Sequence, residues 1–291
     1  INIVSQVPEG ALHADAATHG GSLGRRDATL TVQQGGRVAW RATVGGRQQD
    51  RIPGQVEQQG TRQRLVDGQA SVRTTVGPVA LRFDASAFRE RQRWGVGGGF
   101  FAFNDNTGVT AWSEASLDAL GGSWRLRLSN QEFRHRFRQA LGDVPYADTG
   151  APTQEEQTRR LQLSHSRRVG GRHQVDLGID ASRRRVVAAD RLLGERLSDA
   201  MLEGYAQDAI TAGPLLVTMA ARYTHNSRWG NALTPSVGVA LEPSGTLRLR
   251  IGAARGFRGP SFKELGWRFL NAAAGYTVEG NDALVPESSW Q

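Results

Sequence analysis

The residues of this chain that could take part in chemistry are its six histidines, its aromatic side chains and its many arginines. The histidines have neither the spacing of a metal site nor a serine or acid partner in a recognisable motif. The chain has no cysteine, so a thiolate nucleophile and a thiolate metal site are both excluded. We therefore predict that the protein is not an enzyme and that it holds neither a metal nor a cofactor.

A second group of candidates is aromatic and surrounds the glycine-rich run GVGGGFFAFNDNTG. A phosphate-binding loop needs a following helix, and this run lies between two predicted strands, so we exclude that function. The sequence instead predicts a long connection between Glu90 and Asn106. Exposed rings on such a loop could enclose an amphipathic ligand, although a membrane girdle or simple loop packing stays open as an alternative. The rings in question are Trp94, Phe100, Phe101, Phe103 and Trp112.

The third group is basic, because 36 Lys and Arg against 28 Asp and Glu give a net charge of +8. A basic excess can indicate nucleic-acid binding. Here, however, the arginines are spread along the whole chain rather than clustered with aromatics, so we predict no nucleic-acid partner. Several arginines fall on the polar side of predicted strands, where an anionic ligand could pass. These are Arg82, Arg125, Arg222, Arg248 and Arg250. Solvation of a wet wall, with pairing to neighbouring aspartates, remains the alternative.

The elements that carry these residues are strands, since apolar and polar residues alternate with a period of two. This alternation predicts about 13 strands and the start of one more. Each strand has one apolar and one strongly polar face. The apolar set includes Leu126, Leu128, Val175, Leu177, Leu247 and Leu249. The polar set includes Arg125, Arg127, Asp176, Arg248 and Arg250.

The predicted connections alternate between tight turns and long segments. Long ones are predicted at residues 48–60, 90–106, 136–154 and 186–197. Antiparallel hairpins joined by short turns on one side and long loops on the other are typical of outer-membrane β-barrels. In that structure the apolar set contacts lipid and the polar set faces the lumen. A soluble β-sandwich also alternates, but arginines in mid-strand and the regular alternation of loop length favour the membrane barrel.

A separate motif occupies the C-terminal run from Arg255 to Gln291. Ser261 and Glu264 have the Ser-x-x-Glu spacing of a helix capping box. Gly280 and Asn281 supply the backbone freedom of a turn, and Pro286 can mark the start of the next strand. A capped loop helix explains these residues without any contact to a ligand.

The same run, GFRGPSFKELGWRFLN…GYTVEGNDALVPESSW, closely resembles the barrel signature of TonB-dependent outer-membrane receptors. The departures are Gly259 where alanine is usual and Asp282 where proline is usual. Upstream, INIVSQVPEG is similar to the end of the family's plug domain. The matching residues are Phe257, Arg258, Pro260, Ser261, Lys263, Glu264, Leu265, Gly280, Asn281, Leu284, Pro286, Glu287 and Ser289.

The resemblance implies an all-β fold, a transmembrane antiparallel β-barrel that is partial here because barrels of this family have 22 strands. It implies the end of the plug at residues 1–9 and the N-terminal part of the barrel at residues 10–291. The plug and its TonB box would then lie outside these residues.

The function implied by the resemblance is TonB-coupled uptake of a scarce nutrient across the Gram-negative outer membrane. A ferric siderophore is the first choice of ligand and cobalamin the second. A passive porin-like channel and an adhesion or assembly barrel are the alternatives. The implied partners are the TonB energy-transducing complex, the small-molecule nutrient, and outer-membrane lipid with lipopolysaccharide.

Overall fold

A computed structural model describes residues 8–50, 61–141, 153–189, 191–192, 194–271 and 275–291. These residues form sixteen β-strands, a 3-10 turn at Ser22–Gly24 and one short helix, α1, at Phe262–Gly266. The strands are β1 (His13–Gly20), β2 (Arg26–Gln34), β3 (Val38–Gln49), β4 (Arg62–Val76), β5 (Val79–Gly97), β6 (Phe100–Ala119), β7 (Gly122–Leu141), β8 (Gln154–Val169), β9 (His173–Val187), β10 (Arg196–Ala212), β11 (Leu215–Asn226), β12 (Gly230–Ser244), β13 (Leu247–Arg258), β14 (Arg268–Asn271), β15 (Tyr276–Glu279) and β16 (Glu287–Trp290).

Fourteen strands form one sheet in which chain neighbours are also sheet neighbours. Its order is β1 to β13 followed by β16. β14 and β15 form a separate antiparallel hairpin between α1 and β16. The prediction of about 13 strands and the start of another is therefore confirmed. Within the described ranges, no helix is long and apolar enough to cross a bilayer.

The chain divides into two compact units. The first contains residues 1–113, 129–157 and 187–189, and the second contains residues 114–128, 158–186 and 190–291. In the first unit, Val72 lies opposite Phe83 across the β4–β5 pair, whereas Ser71 lies opposite Asp84. Residues directly opposite share a face, and successive residues alternate between faces. This register gives the unit one apolar face and one polar face.

The second unit shows the same division. Leu241 lies opposite Leu249, whereas Ala240 lies opposite Arg250 across the β12–β13 pair. The apolar side chains are not buried, since Leu249 is 52% exposed and Ile251 is 76% exposed. Among the described residues, the buried side chains include nine polar or charged ones and eight apolar ones. Each unit therefore exposes its apolar face and buries polar side chains, the reverse of a soluble domain.

One predicted connection is wrong. β5 continues to Gly97 and β6 begins at Phe100, so residues 90–106 form a tight hairpin and not a long loop. Gly98 and Gly99 both have a positive φ, of 59° and 77°. Two successive residues in this conformation make the turn type that matches the twist of a hairpin. The glycine-rich composition therefore indicates a sharp reversal between two long strands.

Of the other three predicted long connections, one is confirmed and two fall largely outside the described residues. Residues 188–195 connect β9 to β10, which confirms the connection predicted at residues 186–197. The predicted connections at residues 48–60 and 136–154 fall largely on residues 51–60 and 142–152, which lie outside the described residues. β7 extends to Leu141, further than the sequence indicates.

An inserted charge should destabilise the protein on the apolar face and have little effect on the polar face. Val237, at the middle of β12, is on the apolar face opposite Met219, and its neighbour Ser236 is on the polar face opposite Ala220. We expect Val237→Arg to lower the free energy of unfolding in a bilayer by about 2–4 kcal/mol, because lipid does not solvate the charge. Ser236→Arg is the matched control and should have little effect. Equal destabilisation by both variants, measured on the full-length protein, would contradict this assignment of faces.

Candidate functional site

The C-terminal motif folds as an ordered segment that begins with a capped helix. The Oγ of Ser261 accepts a hydrogen bond from the backbone N–H of Glu264 (3.3 Å), and Oε2 of Glu264 accepts one from the backbone N–H of Ser261 (2.8 Å). Both halves of the predicted capping box are therefore present. Leu265 of this helix is buried, with 3% of its surface exposed. The capping box holds a helix of five residues that is too short to be stable without such support.

An ionic link joins the helix to two strands. Arg258, the last residue of β13, donates from Nη2 to Oε1 of Glu264. Its Nη1 also lies 3.5 Å from Oε1 of Glu287, the first residue of β16 and its partner in the sheet. Three motif residues that are up to 29 positions apart in the sequence thus meet at one guanidinium. The link fixes the position of α1 relative to the end of β13.

The segment that follows the β14–β15 hairpin packs directly on the helix backbone. The backbone N–H of Asn281 donates to the carbonyl of Glu264, and that of Gly280 donates to the carbonyl of Trp267, both at 2.7 Å. A Cβ on Gly280 would lie 2.6 Å from the nitrogen of Gly266. Because the obstacle is backbone, only glycine fits at residue 280. This contact explains the glycine of the motif at this position.

The remaining motif residues support this arrangement. Phe257 packs at 5.5 Å against Trp229, measured between ring centroids, and Pro260 is buried. Leu284 and Pro286 lie in the segment that leads from Asn281 to β16. The contacts of Phe257, Arg258, Ser261, Glu264 and Gly280 given above hold the helix, β13 and β16 together, which favours a structural function for these residues.

A polar network on β9, β10 and β11 underlies the helix, and the sequence analysis did not find it. Arg184 lies over the ring of Phe262, with 5.0 Å from its guanidinium carbon to the ring centroid. Its Nε also donates to Oδ1 of Asp199 (3.0 Å), and Nδ2 of Asn226 donates to Oδ2 of the same carboxylate (3.0 Å). Asp199 and Asn226 are buried, at 4% and 1% exposure. Alternation marks these positions as polar, but only the strand register shows that they meet.

A second part of this network lies on β10 and β11. Thr224 donates from Oγ1 to Oε1 of Glu203 (2.9 Å), and Arg222 is 3.7 Å from the same oxygen. Arg222 also lies over the ring of Tyr205, at 5.4 Å. The polar face of the second unit is therefore a wall of paired charges and amides, as expected for a surface that contacts water inside a membrane protein.

The predicted aromatic site is divided between two faces of the first unit. Trp112 lies beneath Arg82, at 4.5 Å, and Arg82 also donates to Asp84, so Trp112 is on the polar face. Trp94 shares that face by alternation along β5. Phe101 and Phe103 are on the opposite face, where Arg93 and Arg138 lie over their rings at 5.4 and 4.9 Å.

The structure therefore does not bring the four rings together. All four lie on strands and none lies on a loop. Phe103 is only 4% exposed, so it was wrongly expected to be an exposed loop residue.

The predicted arginine pair lies far from the motif. Arg248 and Arg250 are near the start of β13, and Arg248 pairs with Glu242 beside the short turn to β12. Arg250 and Arg258 are eight residues apart along β13, which corresponds to about 27 Å at a rise of ~3.4 Å per residue. The two groups of predicted residues thus occupy opposite ends of the same strand. Among the described residues, no group of three or more histidine and carboxylate side chains could hold a metal ion.

Comparison with known proteins identifies the family. Residues 26–291 match the family model described as TonB dependent receptor-like, β-barrel, and the chain therefore belongs to this family. A comparison with curated protein sequences gives no match. Members of the family lie in the outer membrane, which assigns the apolar face to lipid and the polar face to the lumen.

Solved structures have the same fold at low sequence identity. The chain is similar to the siderophore receptor PirA from Acinetobacter baumannii, with a TM-score of 0.74 and 11% identity over 98% of this chain and 50% of that one. For the siderophore receptor PirA from Pseudomonas aeruginosa the TM-score is 0.73 and the sequence identity is 15%, over 98% of this chain and 52% of that one. A third similar structure is a mutant of the ferric enterobactin receptor PfeA from Pseudomonas aeruginosa in complex with enterobactin. Its TM-score is 0.70 and its sequence identity is 12%, over 99% of this chain and 52% of that one. The chain spans about half the length of these receptors.

The capping box gives a first prediction for this site. We expect Ser261→Ala to destabilise α1 by about 1 kcal/mol, which corresponds to a roughly fivefold faster amide exchange of the helix. Hydrogen exchange of residues 262–267, measured by mass spectrometry on the full-length protein, tests this. Ser288→Ala is the control, because this exposed serine is on β16 and caps no helix. Unchanged exchange in Ser261→Ala would show that the capping box does not hold the helix.

The pKa of Glu264 gives a second prediction. The backbone N–H of Ser261, followed by the guanidinium of Arg258, lowers the pKa of this carboxyl from 4.5 to about 2. A carboxyl with a lowered pKa stabilises the folded state above its unfolded pKa, and this stabilisation is lost as the pH falls through the folded value. We therefore expect α1 to loosen between about pH 4.5 and pH 2.

Pepsin cleavage measures this loosening, because pepsin is active across that pH range. Cleavage near Phe262 in the full-length protein should rise as the pH falls in the parent. In Glu264→Gln it should change much less with pH, since the side chain no longer titrates. The same pH profile in both proteins would contradict the assignment to Glu264.

Proposed function

We propose that this chain is part of an outer-membrane receptor for TonB-coupled uptake of a ferric siderophore. The observation that carries the proposal is the match of residues 26–291 to the family model. The C-terminal motif of these residues begins with a capped helix. The similarity to solved siderophore receptors supports a siderophore ahead of cobalamin. In this proposal residues 10–291 form the N-terminal part of the barrel and residues 1–9 end the plug. Residues 1–7 of that plug segment lie outside the described residues.

The polar face is the proposed path of the ligand. A wall of arginines paired with carboxylates offers an anionic complex many alternative partners without a single deep site. Trp94 and Trp112 are the rings placed to contact a ligand on this face, and Arg248 and Arg250 would serve passage at its short-turn end. Phe101 and Phe103 are on the lipid side, so we assign them to packing.

Uptake by the intact receptor tests the proposal. The gene for the full-length protein would be deleted in its host and restored on a plasmid, and uptake of iron-55 siderophores would be measured under iron limitation. We expect uptake that depends on the receptor and stops when a protonophore removes the energy source. Receptor-dependent uptake that persists with the protonophore would indicate a passive channel. Receptor-dependent uptake of labelled cobalamin instead of iron would reject the siderophore.

Single ring replacements test the ligand path. We expect Trp112→Ala to weaken siderophore binding by about 1–3 kcal/mol, as for other aromatic anchors in binding sites. Phe101→Ala removes a ring from the opposite face of the same strand and should leave affinity unchanged. Heat-modifiable migration on gels would verify that both variants assemble. Equal affinities of parent and Trp112→Ala would place the ligand contacts elsewhere.

A further inference from the structure

Two glycines of the second unit lie directly beneath aromatic rings of a neighbouring strand. A Cβ on Gly178 of β9 would overlap the ring of Tyr205 on β10. A Cβ on Gly122 of β7 would in the same way overlap the ring of His165 on β8. Each ring therefore occupies the space that a side chain would fill at any other residue. We name Gly178 with Tyr205 and Gly122 with His165 the ring–glycine pairs.

The rings of both ring–glycine pairs also have a second contact that holds them in place. Arg222 lies over the ring of Tyr205, with 5.4 Å from its guanidinium carbon to the ring centroid. Trp124 stacks on His165, with 4.2 Å between the ring centroids. A side chain at either glycine would therefore displace a ring that has a further partner.

Both ring–glycine pairs join strands that a long connection leaves free to slide. Residues 188–195 separate β9 from β10, and residues 142–153 separate β7 from β8. A tight turn fixes the register of the strands that it joins, but a long connection does not. β12 has short turns at both ends, and a Cβ on its Gly238 would have no described atom within 4 Å. In the first unit, Phe88 covers Gly108 on two strands whose tight turn already sets their register.

The alternation of polar and apolar residues excludes some wrong registers and allows others. A slip of one residue exchanges the two faces of a strand, whereas a slip of two residues keeps them. After a slip of two, Tyr205 would lie over Asp176 or Asp180, which flank Gly178 on the polar face of β9. Both aspartates carry a side chain where the ring has to lie. Of these three registers, the ring of Tyr205 therefore fits only the one that places it over Gly178.

The same geometry explains one departure of the C-terminal motif from the family pattern. Gly259 stands where alanine is usual, and a Cβ on it would lie 2.9–3.1 Å from three atoms of the Trp229 indole. Trp229 also packs against Phe257. An alanine at residue 259 would push the indole away from this contact. The departure therefore belongs with a ring that lies on the backbone of another segment.

We propose that the ring–glycine pairs set the register of β7 with β8 and of β9 with β10 as the barrel assembles. Each glycine admits the ring of the neighbouring strand, and the side chains that flank the glycine exclude it. The register in turn decides which side chains meet on the polar face, such as Arg184 and Asp199. Because glycine weakens the interior of a strand, this function accounts for a residue that strand propensity disfavours. It concerns assembly and does not depend on the ligand.

Disulfide cross-linking in the full-length protein tests the proposal, and the chain has no cysteine of its own. The backbone N–H of Thr211 on β10 donates to the carbonyl of Arg172 (2.9 Å), so Arg172→Cys/Thr211→Cys reports the native register. A slip of two that brings Asp176 beneath Tyr205 would bring residue 209 opposite residue 172. Arg172→Cys/Ala209→Cys reports that slipped register. The readout is the yield of each disulfide after assembly in the outer membrane, measured by mass spectrometry.

The slipped disulfide should be rare in the parent. We expect Gly178→Ala to raise its yield at least about fivefold, because the variant forces a methyl group into a filled site. Gly178→Ala/Asp176→Gly moves the space for the ring by two residues and should make the slipped disulfide the main product. Gly238→Ala is the matched control, since it adds the same methyl group to the polar face at an open position. It should leave both yields at the parent values.

Removal of the ring separates the ring–glycine pair from other effects of Gly178→Ala. In a Tyr205→Leu background, Gly178→Ala should no longer change the yields. If Gly178→Ala alone does not assemble, Tyr205→Leu should restore its assembly. Equal yields in Gly178→Ala and Gly238→Ala would overturn the proposal. So would a defect of Gly178→Ala that persists unchanged in the Tyr205→Leu background.

Discussion

A backbone inside a bilayer must satisfy its own hydrogen bonds, and this constraint determines the rest of the structure. Water is absent from the hydrocarbon, so each N–H and C=O needs a partner within the protein. Thirteen successive strands meet the requirement by pairing with their neighbours in chain order. In a paired strand, each side chain points to one of the two faces of the sheet. One face contacts lipid and the other contacts water. The alternation of apolar and polar residues follows directly from that difference in solvent.

The C-terminal motif packs the long connection between β13 and β16. Where the chain leaves β13 it must return as β16 at a defined position, since Arg258 and Glu287 are partners in the sheet. Two backbone hydrogen bonds from Gly280 and Asn281 and the Arg258–Glu264 pair hold α1 against the returning segment. The family signature in this chain therefore describes how a long connection is packed onto the strands.

Local patterns in the sequence were sufficient for the strands, their two faces and the capped helix. The period of two depends only on adjacent residues, and the capping box joins Ser261 to Glu264 within one turn. The hairpin at Gly98 and Gly99 was missed because glycine-rich composition is common to loops and tight turns, and only the φ values distinguish them. Contacts such as Asp199 with Asn226 could not be predicted, since they depend on the register of distant strands. The division of Trp112 and Phe103 between faces follows from alternation along β6, on which they are nine residues apart.

The central claim is that one face of each strand contacts lipid and the other contacts water. The chain contains no cysteine, so single cysteines can be introduced along β5 and spin-labelled in the full-length protein. Collision rates with oxygen and with a water-soluble nickel complex, in a reconstituted bilayer, measure the solvent at each position. We predict that positions 83, 85 and 87 favour oxygen and that positions 82, 84 and 86 favour nickel. Equal nickel access on both faces between positions 82 and 87 would contradict the claim.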